Sequence, residues 1–378
     1  MKKLPALALA LLCATMTTSP VFAQSADAGQ AAYDAGDYET AAKDWLRKAS
    51  NGDAPAQHNL GFMYYEGRGV PENHSEAARL FKLAADQGLA DAQNKLGVLY
   101  EKGHGVPQNL AEAARLYRLA ADQGHAMAQY NLGAMYDHGA GLETDRIEAA
   151  RWYQKAADQG LAMAQFNLGS LYDKGEGVSQ DYALAAKLYR LAADQGLAKA
   201  QTNLGFLYRN GLGVPKSDVE AANWYRLAAD QGNAGAQTNL GFLYAEGAGV
   251  TQDYAEAVRL YRLAAAQGHA MAQHNLAVAY TNGTGVTKNP TEALRLYRLA
   301  AEQGLARAQF NLGVLYGEGQ GVRRNHETAY VWFSLAAKQG DKRAIENREI
   351  AARQLTPAGL ARAKQRADSC FSQGYKGC

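Results

Sequence analysis

The sequence repeats itself. Ala-x-Ala-Gln begins at Ala54, Ala90, Ala126, Ala162, Ala198, Ala234, Ala270 and Ala306, each 36 residues after the last, so eight full units occupy 54–341. A fixed period of this size restricts the chain to stacked repeats, because one such unit cannot bury its own apolar face. Counting from that first alanine, position 7 is leucine from Leu60 to Leu312 and position 8 is glycine except at Ala277. Position 11 is tyrosine in all eight units, from Tyr64 to Tyr316.

Each unit reads as two helices. The first has small or apolar residues at positions 3, 7, 8 and 11, the spacing of one helical face. Glycine at position 14 (Gly67, Gly103 and onward) sits where a helix end needs a left-handed residue. The second helix starts at position 20, occupied by Asn73, Asn109, Asp145, Asp181, Ser217, Asp253, Asn289 and Asn325. All can accept from free N–H groups of a first turn. Glutamate follows three residues later in six of the eight units, the spacing of a capping box. The second helix carries an alanine (Ala77 to Ala329), an aromatic four residues on (Phe81 to Phe333) and an alanine pair (Ala84-Ala85 to Ala336-Ala337). Alanines admit close helix approach while the aromatic fills the gap between units. The expected fold is an all-α, right-handed α/α superhelical solenoid of helix–turn–helix repeats, with the first helix set against the second helix of the next unit.

The flanks differ. Residues 24–53 read as a degenerate capping repeat around Ala35-Gly36-Asp37, and 342–378 as two polar-faced capping helices with a cysteine-containing tail, the second helix capped by Thr356-Pro357. Residues 1–23 have the three parts of a secretory signal peptide: Lys2-Lys3, an apolar run over 4–14, and Val21-Phe22-Ala23 before the expected cleavage. The run is too short to span a membrane, and Cys13 within it is a poor lipoprotein signal. The expected location is the periplasm, with full secretion as the alternative. Removing the leader takes Lys2 and Lys3 from 39 basic residues, leaving 37 against 37 acidic ones. Such a balance gives no electrostatic reason to expect a nucleic acid or an anionic membrane as partner. Cys370 and Cys378 remain, and in an oxidising compartment a local disulfide is their default state.

The succession Ala-x-Ala-Gln-x-Asn-Leu-Gly-x-x-Tyr, Gly-x-Gly-Val, Ala-Ala-x-x-Tyr-x-x-Ala-Ala-x-Gln-Gly resembles the Sel-one-like repeat, a longer-looped relative of the tetratricopeptide repeat. The resemblance implies an adaptor: members serve in protein complexes, including quality-control assemblies and bacterial envelope signalling. A cysteine-rich branch with a disulfide in each repeat has been linked to penicillin binding. No repeat here contains cysteine, so a cell-wall or β-lactam hydrolase is only the alternative reading.

Motifs of catalysis are missing from the sequence. Gly-x-Gly recurs, as in Gly67-Arg68-Gly69, but Glu72 stands where a dinucleotide fingerprint needs its third glycine, so the glycines read as turn residues. Ser-x-x-Lys, Gly-x-Ser-x-Gly and His-Glu-x-x-His do not occur, and the eight histidines are scattered over the units. Trp152, Trp224 and Trp332 share one repeat position and, like the periodic tyrosines, read as packing. Neither a catalytic residue, a metal site nor a cofactor is expected.

Variation between units points instead to binding. Opposite the packed stripe of the first helix lie positions 2, 5, 6, 9, 12 and 13, which line the concave groove in tetratricopeptide arrays. That face carries Met127 with Tyr130, Met163 with Phe166 and Met271 with His274, together with Phe206, Phe242 and Phe310. Adaptable methionines and rigid aromatics suit a peptide or helix of another protein. A line of asparagines including Asn131, Asn167, Asn203, Asn239 and Asn275 is placed either to hold a ligand's backbone amides or to bond a neighbouring turn. The aromatics themselves have a packing alternative on adjacent helices. Along the face Glu101, Asp137 and Asp173 give way to Lys199, Arg209 and Arg307.

Overall fold

The computed structural model describes residues 27–378, and among them it is all helix, with twenty α-helices and no strand. The expected leader, with Cys13, lies outside the described residues. The chain forms two compact bodies, one ending at Gln123 and the other running Gly124–Cys378.

In the first body α1 (Ala28–Asp34) and α2 (Tyr38–Ser50) precede α3 (Ala54–Glu66), α4 (His74–Asp86), α5 (Ala90–Lys102) and α6 (Leu110–Asp122). The second body opens with α7 (Ala126–His138), α8 (Arg146–Asp158), α9 (Ala162–Lys174), α10 (Tyr182–Asp194), α11 (Ala198–Asn210) and α12 (Asp218–Asp230). It continues through α13 (Ala234–Glu246), α14 (Tyr254–Ala266), α15 (Ala270–Asn282), α16 (Pro290–Glu302), α17 (Ala306–Glu318) and α18 (His326–Lys338), and closes with α19 (Lys342–Arg353) and α20 (Pro357–Ser372).

Within each body a second helix packs on its own first helix and on the first helix of the following unit, as α10 does on α9 and α11. This corrects the expected neighbour by one step. The link from α10 to α11 is residues 195–197, and three residues reach only about 10 Å, too short to pass over a helix.

Local chemistry sets the ends. The Asn73 side chain accepts from the Glu76 N–H at 3.0 Å, and the residue at position 20 caps its helix in the same way in every unit. The return half of the capping box does not form. The Asn73 N–H donates instead to the Tyr64 carbonyl, which frees Glu76 to take Arg79 at 2.6 Å. Both glycines of Gly-x-Gly have positive φ, but for different reasons. Gly211 (φ 68°) ends α11 as a left-handed cap. Gly213 (φ 67°) lies against the preceding unit, where an added Cβ would sit 2.2 Å from the Tyr182 carbonyl oxygen.

The interior repeats as well. Position 8 is glycine because the aromatic of the second helix lies across it: a Cβ on Gly205 would fall 2.8 Å from the Tyr225 ring. A polar pair accompanies this packing. Gln231 Nε2 donates to Gln201 Oε1 at 2.8 Å, and buried Gln201 donates onward to the Ala193 carbonyl at 3.1 Å. The glutamine-to-glutamine bond recurs in all eight units. It satisfies an amide that burial would otherwise strip of partners.

The C-terminal segment keeps more of the repeat than its sequence suggested. Helix α19 begins 36 residues after Ala306, so Ala344, Asn347 and Ile350 fall at positions 3, 6 and 9 of a ninth first helix. Its outward side is not wholly polar, since Ile345 and Ile350 are exposed. Helix α20 packs along α18, turning Gly359, Ala363, Ala367 and Cys370 inward. Arg362 pairs with Glu327, and Lys338 with Asp368 at 2.9 Å. Leu335 is therefore 0% exposed, whereas Leu227 at the same repeat position is 49% exposed. A disulfide joins Cys370 to Cys378, with Cα atoms 5.6 Å apart.

Candidate functional site

All the residues singled out for partner binding lie in the second body, on the first helices α7 to α17. They separate into three groups by repeat position. Position 5 belongs largely to the packing. Tyr130 lies 5.8 Å from Tyr153, Phe166 5.7 Å from Tyr189, His274 5.6 Å from Tyr297 and Phe310 5.7 Å from Phe333, measured between ring centroids. These rings rest on the second helix of their own unit, so one face of each is spent on the fold. His274 is buried, unlike the groove residue the sequence led one to expect. Its Nδ1 meets Asn275 Oδ1 and its Nε2 meets Asn311 Nδ2, both at 3.2 Å. Because Asn311 Nδ2 can only donate, Nε2 accepts and Nδ1 carries the proton.

The asparagines at position 6 are half-buried. From Asn167 onward each amide lies beside the aromatic hydroxyl of the preceding unit: Asn167 at Tyr153, Asn203 at Tyr189, Asn239 at Tyr225, Asn275 at Tyr261. This serves the junction between units before it serves any ligand. Burial pushes the Tyr225 and Tyr261 hydroxyls up to about 12, so these phenols stay neutral and act as packed rings.

Positions 2 and 9 are the open ones. Met127 is 39%, Met163 44% and Phe206 49% exposed. Met271 and Phe242 are half-buried. The Arg209 guanidinium lies 4.4 Å above the Phe242 ring and that of Arg343 4.3 Å above Phe310, so cations sit over aromatics on this face.

The structure also assembles what periodicity did not. A cleft of about 490 Å³ is walled by Tyr130, Met163, Phe166 and Leu197, with Asn167, Asn233, Gln231 and Lys199 at its polar edge. Leu197 and Asn233 occupy position 36, which varies between units (Leu, His, Asn, Asp) and escaped notice for that reason. Among the described residues no three His, Cys, Asp or Glu side chains group as metal ligands would, and no helix is long and apolar enough to cross a membrane.

The Sel1 repeat model matches residues 54–89, 90–125, 126–161, 162–197, 198–233, 234–269, 270–305 and 306–341, without a gap. The chain belongs to the Sel1 repeat family. Two solved structures agree. One is c5321, a protective antigen of uropathogenic Escherichia coli strains displaying an SLR fold, at 32% identity and TM-score 0.60, covering 92% of this chain and 85% of that one. The other is a Sel1 repeat protein from Oxalobacter formigenes, at 34% identity and TM-score 0.62, covering 80% and 88% respectively. No curated protein matches the sequence. Sel1 repeat proteins are in general protein-interaction scaffolds, and on the first helices of this one Met127, Met163 and Phe206 stand open.

Proposed function

We propose that this Sel1 repeat protein is an exported scaffold that holds a peptide or helix of an envelope protein, periplasmic in location, against the first-helix face of its second body. The observation that carries the reading is the cleft formed by Tyr130, Met163, Phe166 and Leu197, lined also by Lys199 of α11, the helix that carries the exposed Phe206. Apolar side chains left in solvent on a rigid array suit a partner. The basic, apolar and small-residue segments of 1–23 support export.

The test is selection of peptides from a random displayed library by the second-body face. The protein is compared with its Met163→Ala/Phe206→Ala variant. Peptides retained by the parent and lost by the variant support the reading. Equal recovery by both proteins moves the site elsewhere on the array. For export, a fusion of residues 1–23 to a reporter active only outside the cytoplasm must be active.

A further inference from the structure

The chemistry of the partner can be read from one helix. On α11, Lys199, Phe206 and Arg209 form a stripe. At 100° per residue Phe206 lies about 20° and Arg209 about 80° around the axis from Lys199, some 10 Å and 15 Å along it. Lys199 and Phe206 are exposed, and Arg209 is half-buried over Phe242. Among the described residues neither Lys199 nor Arg209 has an ion-pair partner. The acids at the position of Arg209 in the two preceding units are engaged: Asp137 with Arg146 at 3.3 Å, and Asp173 with the Tyr189 hydroxyl at 3.1 Å. Lys199 is also the one charged side chain in the lining of the adjoining cleft.

Two unpaired cations with an exposed phenyl ring between them define a complement. We infer that the partner segment is an acidic, extended peptide with two carboxylates about four to five residues apart, the span of 15 Å at about 3.3 Å per residue, and an apolar residue between them. The carboxylates meet Lys199 and Arg209, and the apolar side chain lies on Phe206 or enters the cleft by Met163. Charge of this sign fixes register and speeds encounter. The inference rests on the first-helix face being the binding surface, and it adds the sign and spacing of the ligand's charges.

The experiment is a second selection from the same displayed dodecapeptide library, with Lys199→Glu/Arg209→Glu and Lys199→Gln/Arg209→Gln beside the parent. Circular dichroism first establishes that both variants keep the parent's helicity. Peptides selected by the parent carry Asp or Glu flanking an apolar residue, the glutamate variant selects Lys and Arg there instead, and the glutamine variant selects neither. A synthetic peptide of the parent's consensus binds the parent at least tenfold tighter than its lysine counterpart, and raised salt narrows the ratio. Selected peptides that depend on Met163 and Phe206 but show no acidic bias would overturn this inference and leave the binding face standing. Peptides indifferent to Met163 and Phe206, or no peptides at all, overturn both.

Discussion

Gln87 Nε2 donates to Gln57 Oε1 at 2.8 Å, and Gln57 donates in turn to the Ala49 carbonyl of the unit before it. One buried side chain thus ties its own second helix to the preceding one. The same chain of bonds in the second body runs from Gln231 through Gln201 to Ala193. Replacing Gln201 by Leu leaves the Gln231 amide and the Ala193 carbonyl without that partner. We expect a loss of about 2–3 kcal/mol in urea unfolding, against about 1 kcal/mol or less for Gln231→Ala on the solvent side.

The glycines separate strain from contact. Gly196 (φ 89°) has nothing within 4 Å of an added Cβ, so Gly196→Ala costs about 1 kcal/mol of left-handed strain. Gly213→Ala adds a clash with the Tyr182 carbonyl, and its cost in the same measurement should be at least twice as large.

Two of the phenylalanines on the candidate face, Phe206 and Phe166, divide between function and fold. Phe206→Ala, at an exposed site, should change stability by less than about 0.5 kcal/mol. Phe166→Ala, which loses the Tyr189 ring contact, should cost about 2 kcal/mol. Urea midpoints of the two variants check this before any binding experiment.

Stability should depend on pH through His274. Burial holds its pKa below the ordinary value; Asn275 opposes this and the nearby Arg307 and Arg343 add to it. The folded state therefore binds the proton less readily than the unfolded chain. The stabilisation is complete above the ordinary value near 6.5 and is lost as pH falls below it. Urea midpoints should drop from pH 7 to pH 5. His274→Phe, the residue Phe166 and Phe310 supply at that position, should flatten the slope, leaving the part due to His269, which burial also lowers.

Equivalent leucines should respond differently to charge. Leu227→Lys places a cation in solvent and should be neutral within about 0.5 kcal/mol. Leu335→Lys buries one beneath α20 and should cost about 3 kcal/mol or more, read by thermal unfolding.

The period, the caps and the turn glycines were legible in the sequence because each answers a backbone requirement that few residue types meet. Asn73 and Gly211 could hardly be read otherwise. The glutamine chain was not legible, since a polar residue such as Gln57 looks like surface until its partners are in place. Position 5 stayed undecided between packing and binding for a related reason: Tyr130 and Phe166 share a helical stripe with the open Met127 and Met163, and only the structure shows one face of each ring resting on Tyr153 and Tyr189. The cover on α18 left a trace that periodicity obscured. Val331 and Ser334 stand where earlier units carry polar or charged side chains such as Arg259 and Arg262, the substitution a helix needs when α20 closes over it.

The contact of Gly213 with the Tyr182 carbonyl recurs between Gly249 and Asp218, Gly285 and Tyr254, and Gly321 and Pro290. A main-chain atom meets a missing side chain at each junction, so the fit is blind to which residues lie on either side. Units joined this way are interchangeable parts: thirty-six residues can be copied, deleted or exchanged while every seam stays the same. Length of the array and the character of its exposed face are then free to change independently.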